Sequence, residues 1–189
     1  MNTLSMNFSL RKARLEDTPT LEQLIALSAR ELSKNDYTSA QIEGALQGAF
    51  GVDSQLIKDG TYFAVEAGGK LVGCGGWSKR KTLFGGDHRE SRDLAELDPN
   101  TEAAKIRAFF VHPAWARKGI GRAILTACES EASAAGFHTL ELMATLPGLR
   151  LYAACGFVGA ERTQYELPSG GTIEFVQMKK KIANSGDNE

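Results

Sequence analysis

The stretch Phe109-Phe110-Val111-His112-Pro113-Ala114-Trp115-Ala116-Arg117-Lys118-Gly119-Ile120-Gly121-Arg122-Ala123-Ile124-Leu125 constrains the fold of this chain more than any other. An apolar strand runs out through Val111-His112-Pro113, and an amphipathic helix begins a few residues later. The turn between them is rich in glycine and basic residues. The first N–H groups of a helix have no partner within it, and the helix dipole puts partial positive charge there. Glycine lets a bulky anion come close to the backbone. Arg117, Lys118 and Arg122 add full charges at the same place. Strand, basic turn and helix in this order build an anion site whose natural guest is a pyrophosphate. The strand Lys105 to Val111 is apolar on both faces, as expected of the centre of an α/β sheet.

The turn lacks G-x-x-x-x-G-K-[S/T], so it is not a P-loop. The third position of G-x-G-x-x-G falls on Ile124, which breaks the dinucleotide fingerprint. The full string instead resembles the signature of the GNAT superfamily of acyl-CoA-dependent N-acyltransferases, V-x-P followed by [Q/R]-x-x-G-x-[G/A]. Val111-His112-Pro113 matches the first part and Gly119-Ile120-Gly121 the end. Ala116 stands at the first position of the second part, with Arg117 one residue on. Further along, Leu151-Tyr152-Ala153-Ala154-Cys155-Gly156-Phe157 is similar to the family's L-Y-x-x-x-G-F. The turn alone fits a solvated loop equally well; the two flanking motifs favour acyl-CoA.

The resemblance implies a single α/β (α+β) domain over residues 1–182, followed by a disordered polar tail at 183–189. It implies a mixed central sheet of about seven strands with a splayed central pair, and about four helices. The pantetheine arm of acetyl-CoA would enter between the splayed strands. The implied cofactor residues are Phe109, Phe110, Val111, Arg117, Lys118, Gly119, Ile120, Gly121, Arg122 and Thr145. The last replaces an asparagine found in many members. A homodimer is compatible with the family.

The pattern along the chain agrees with this order. Phe8 to Ala13 alternates as a strand. Pro19 opens a helix with Leu21, Leu24 and Ile25 inward, and Ser39 caps a second. Thr61 to Ala67 and Leu71 to Trp77 form a hairpin around Gly68-Gly69. Gly73, Gly75 and Gly76 would weaken an isolated strand and point to close backbone approach. Lys79 to Thr101 is a long polar connection with few apolar anchors, expected to be mobile and to border the acceptor pocket. A helix from Ile120, a strand from Thr139, a short helix from Pro147 and a final hairpin around Pro168-Ser169-Gly170-Gly171 complete the chain.

The net charge of −1 calls for no polyanionic partner, so nucleic acid is not expected. No apolar run approaches a membrane span, and residues 1–10 have no signal-like core, so a cytoplasmic location is expected. Cys74, Cys128 and Cys155 lack metal or disulfide spacing and read as small hydrophobes. No arrangement of His88, His112 and His138 suggests a metal.

Acyl transfer to an amine needs a neutral nucleophile, a positioned thioester and a donor for the departing thiolate. The resemblance assigns the donor to Tyr152. The family's glutamate ahead of V-x-P is Lys105 here. Glu102, the nearest upstream acid, is the candidate base, with Glu141 on the facing strand as a second; either would act through a water, and solvent itself is a third route for the proton. Glu141 equally fits an ion pair with Arg107 across the sheet. The acceptor is an amine of unspecified class. Two other functions remain open: a regulatory acyl-CoA-binding module without turnover, and an interaction domain whose basic turn binds a partner's phosphate.

Overall fold

The computed structural model describes residues 7–89 and 92–182. The expected tail at 183–189 lies outside the described residues. Seven strands form one mixed sheet in the order β1-β2-β3-β4-β5-β7-β6. They are β1 (Ser9–Lys12), β2 (Tyr62–Ala67), β3 (Lys70–Ser78), β4 (Ala104–Val111), β5 (Thr139–Thr145), β6 (Val158–Glu166) and β7 (Thr172–Lys181). Among the described residues there are five helices: α1 (Thr18–Leu32), α2 (Ser39–Ala45), α3 (Ser54–Lys58), α4 (Ile120–Ala134) and α5 (Leu149–Ala154). The sequence pattern misses α3. It is too short to show a period, although Asp53 caps it by accepting from the Gln55 N–H.

Alternation along the strands sorts side chains into two cores. Phe63 and Val65 of β2 face one layer, built on Ile120, Ile124, Leu125 and Cys128 of α4. Tyr62 and Ala64 face the other, built on Leu21, Leu24 and Ile25 of α1 with Ile42 of α2 and Leu56 of α3. The period of two on each strand meets the helical stripe on each side. Gly68 and Gly69 both take positive φ (56° and 73°), which the tight β2–β3 turn demands. Cys74 and Cys128 are buried, and burial pushes the Cys74 thiol up to about 12.

Only one pair of neighbouring strands is parallel. β4 meets β5 at Ala104↔Leu140 and Lys105↔Glu141, and nowhere else. β5 then turns its other edge to β7 along its whole length. Beyond Lys105 the β5-facing edge of β4 has no partner strand. The sheet is therefore split between its two central strands.

Candidate active site

The split opens into a cleft enclosing about 580 Å³ of empty space, part of it open to solvent. Its walls include members of both cores. Phe109 and Tyr152 come from the α4 side, and Phe50, Phe110 and Phe175 from the α1 side. A gap in a sheet joins its two faces, and this one is lined from both cores.

The β4 wall is shaped by a bulge. Cys74 pairs with Phe110 and Gly76 with Arg107, so Ala108 and Phe109 together face Gly75. Ala108 takes the left-handed conformation at φ 55°, which costs a non-glycine residue about 1 kcal/mol. The buried Tyr62 hydroxyl donates to the Ala108 carbonyl at 3.1 Å and pins it. Phe109 then lies flat against Gly75, where a Cβ would come within 2.6 Å of its ring. Gly73 likewise makes room for Ile120 of α4. The glycines of β3 are thus the close-approach sites their density suggested. At the mouth, Ser28 of α1 accepts from the Val111 N–H at 3.2 Å.

Past the strand, the His112 Nδ1 accepts from the Ala114 N–H and caps a short 3₁₀ turn, Pro113–Trp115. The basic turn follows. Arg117 is left-handed at φ 65° and Gly119 at φ 85°. Nothing lies within 4 Å of where a Gly119 Cβ would stand. Arg117 and Arg122 are exposed and have no ion pair among the described residues. Lys118 folds back, donating to the Ala114 carbonyl at 2.7 Å and lying over the Trp115 ring. The open N-terminus of α4, ringed by cations, suits an anion. Gly121 has a packing reason of its own, since a Cβ there would meet Leu151 of α5 at 2.8 Å.

Tyr152 is buried on α5, edge-on to Phe109 and Phe157 with ring centroids 6.2 and 5.8 Å away. Burial raises its phenol well above the ordinary value, so the proton stays on. Thr145 ends β5 opposite Phe175 and lines the same cleft. The Tyr37 hydroxyl ties this wall together: it donates to the Glu174 carbonyl and accepts from the Leu146 N–H.

Several residues stand elsewhere than the sequence suggests. Glu102 is not brought to Tyr152. Its carboxylate accepts from the Asp98 N–H at 2.8 Å and closes a turn ahead of β4. From there to Phe109 is roughly 20 Å of extended chain. Its position follows from the hydrogen bond of a local turn, which its spacing from V-x-P does not register. Glu141 pairs with Lys105 and Lys179, not with Arg107. Arg107, on the same face as Lys105 but past the last rung shared with β5, meets Asp53 at 2.7 Å instead, with side chains 3% and 1% exposed. It also donates to the Gly85 carbonyl. Arg92 shares Asp53 at 3.0 Å. These contacts anchor the connection expected to be mobile, together with Phe84 packed on Tyr165 and Phe175. Its apolar anchors are few but lie where the chain folds back. The connection does border the cleft, through Leu83, Phe84 and Gly85. Two charges two residues apart in a strand that is apolar elsewhere, Lys105 and Arg107, were the signal that could have pointed to this cluster.

Among the described residues no group of His, Cys, Asp and Glu is placed to hold a metal, and no helix is long and apolar enough to cross a membrane.

The fold is similar to that of solved acetyltransferases. A GCN5-related N-acetyltransferase from Rhodopseudomonas palustris aligns at TM-score 0.68 and 18% identity, covering 92% of this chain and 95% of that one. The PaiA N-acetyltransferase of Thermoplasma acidophilum, solved in complex with coenzyme A, aligns at TM-score 0.65 and 16% identity, covering 94% and 100%. The yncA protein of Salmonella typhimurium, solved with its cofactor acetyl-CoA, aligns at TM-score 0.62 and 16% identity, covering 97% and 98%. No curated protein matches the sequence. The acetyltransferase (GNAT) family profile matches residues 21–157, a span that runs from α1 through the basic turn to the end of the Tyr152 motif. This chain belongs to the GNAT family of acetyltransferases.

Proposed function

We propose that the protein transfers an acetyl group from acetyl-CoA to a primary amine by direct attack, with residues 1–182 acting as one acyltransferase domain. The observation that carries this is the split sheet. An unpaired edge of β4 and a protonated Tyr152 meet at one cleft, and the open cationic start of α4 follows in the chain a few residues past the end of that strand.

The residues present suit coenzyme A. The N-terminus of α4 with Arg117, Gly119, Ile120 and Arg122 would hold its pyrophosphate. Lys118 could join them on leaving the Ala114 carbonyl. The free edge of β4 at Phe109, Phe110 and Val111 offers main-chain groups to an amide-bearing arm, as an exposed strand edge does, the Val111 N–H excepted because it donates to Ser28. Thr145 would add a hydrogen bond from the opposite wall. Acetyl-CoA supplies an activated acyl carbon: the amine nitrogen bonds to it, the C–S bond breaks, and the nitrogen loses a proton.

Tyr152 holds its proton on the phenol oxygen and donates it to the departing sulfur. A donor whose hydrogen bond strengthens as charge develops lowers the barrier more than it tightens binding. The proton from the amine leaves to water, because none of the described residues lining the cleft is a carboxylate or histidine. Glu102 would serve only through a chain of waters.

The test is thermal denaturation with acetyl-CoA. Wild-type protein should melt higher with ligand by mass action. Arg117→Glu combined with Arg122→Glu reverses the charge of the turn on exposed side chains and should abolish the shift without lowering the ligand-free Tm. A preserved shift in the double variant would overturn the cofactor site. A bound acetyl-CoA never consumed with any amine would favour a regulatory module instead.

A further inference from the structure

The acceptor side of the cleft is apolar with a single charge in it. Phe50, Phe84, Phe110 and Phe175 form a run of ring contacts, with centroids 5.7 Å apart for Phe50 and Phe110 and 5.5 Å for Phe84 and Phe175. Among the described residues lining the cleft, Arg107 alone is charged. Its Nε hydrogen has no partner among the described residues, although the side chain is 3% exposed. A buried guanidinium N–H left unmatched is costly, and an incoming acceptor could satisfy it.

The charges around it are unbalanced in the same direction. Asp53 is shared between Arg107 and Arg92, and Arg92 also reaches Asp87 at 3.1 Å. Arg89 stacks over the Phe84 ring and has no carboxylate partner among the described residues. Among the described residues three guanidiniums therefore stand against two carboxylates, an excess that disfavours an acceptor carrying several ammonium groups.

From these observations we infer that the acceptor is an amine bearing a carboxylate beside an apolar body, as an apolar or aromatic α-amino acid does, and that Arg107 reads the carboxylate. The inference rests on the acetyl-transfer function proposed above. Arg107 and Tyr152 line the same cleft, so an amine directed to Tyr152 can bring its carboxylate to the Arg107 side. The four phenylalanine rings would cover the side chain. Arg107 is a specificity residue in this scheme and takes no part in proton transfer.

The experiment compares kcat/KM for amines that differ only in the carboxylate: phenylalanine against phenethylamine, and leucine against 3-methylbutylamine, with spermidine as a polycation. A hydrogen-bonded charge contact predicts that wild-type protein prefers each amino acid by about tenfold or more, chiefly through KM. Arg107→Gln should collapse that ratio toward one, and Arg107→Lys should keep part of it. Equal or better turnover of phenethylamine or spermidine by wild type overturns the inference. If Arg107→Gln does not fold, the wild-type ratios decide alone. If acetyl-CoA binds but no amine turns over, the Tm shift from N-acetylphenylalanine against N-acetylphenethylamine, each with coenzyme A, decides. The larger shift must come from the carboxylate. Failure of acetyl-CoA itself to bind is a separate result and overturns the transferase function.

Discussion

At its start β4 is zipped to β5, and from Ile106 onward the two strands part. The zipped end is held by charge. Lys105 and Glu141, side chains 11% and 8% exposed, pair directly across the last shared rung. Gln177 and Lys179 of β7 also reach the same carboxylate. The open end is held by shape. A bulge at Ala108, a ring laid on Gly75 and a hydroxyl from Tyr62 fix β4 against β3 where β5 no longer pairs with it. One strand thus carries a clamp and a gap side by side. Main-chain pairing can stop abruptly only if something other than a strand fixes each side of the stop.

The largest effect should come at the open end. Tyr152→Phe keeps the rings that pack on Phe109 and removes only the donor. A loss of kcat of roughly ten- to a thousandfold is expected from one proton-transfer contact, with little change in acetyl-CoA affinity. The loss should shrink with an acyl donor whose leaving thiol is more acidic. Wild-type turnover in a folded, acetyl-CoA-binding variant would reduce Tyr152 to packing and strip the gap of its chemistry.

The clamp should respond in stability instead. Glu141→Ala leaves Lys105 half-buried without its partner, which costs about 3 kcal/mol, read as a lower urea midpoint. Burial pushes the Glu141 carboxyl up, but Lys105, Gln177 and Lys179 outweigh it and hold the carboxyl below its ordinary 4.5. Because folding lowers this pKa, the clamp's contribution is complete above pH 4.5 and is lost as pH falls through the lower, folded value. Wild-type stability should drop across that acid range, and the Glu141→Gln profile should be flatter there. Identical profiles would show that the clamp holds nothing.

The smallest effects belong to the bulge. Gly75→Ala puts a Cβ 2.6 Å from the Phe109 ring. It should cost about 1–3 kcal/mol by overpacking and slow turnover by displacing Phe109. Ala108→Gly relieves the left-handed strain but loosens the unfolded chain, so stability should move by no more than about 1 kcal/mol. Differential scanning calorimetry separates the two. A neutral Gly75→Ala would mean that the bulge does not depend on this contact.

Much of the frame was readable along the chain. The strand–turn–helix at Val111 to Ile124, the positive-φ pair Gly68-Gly69 and the helix carrying Tyr152 depend on neighbours a few residues away. Periodicity and turn chemistry report such local facts. The fifth helix escaped because five residues cannot display a period, and Glu102 was misplaced because a turn hydrogen bond leaves no spacing of its own.

The sequence by itself determined the order of elements, the cationic helix start and the presence of a phenol in the short helix after β5. Tertiary structure alone decided which charges meet. Glu141 and Lys105 are 36 positions apart, and Asp53 and Arg107 are farther still. Arg107 stands on the same face as Lys105 but past the last rung that β4 shares with β5, so it passes Glu141 and meets Asp53 at the start of α3. Where β4 leaves β5, and which charge α3 brings to the gap, depend on packing between distant segments, which no local pattern encodes.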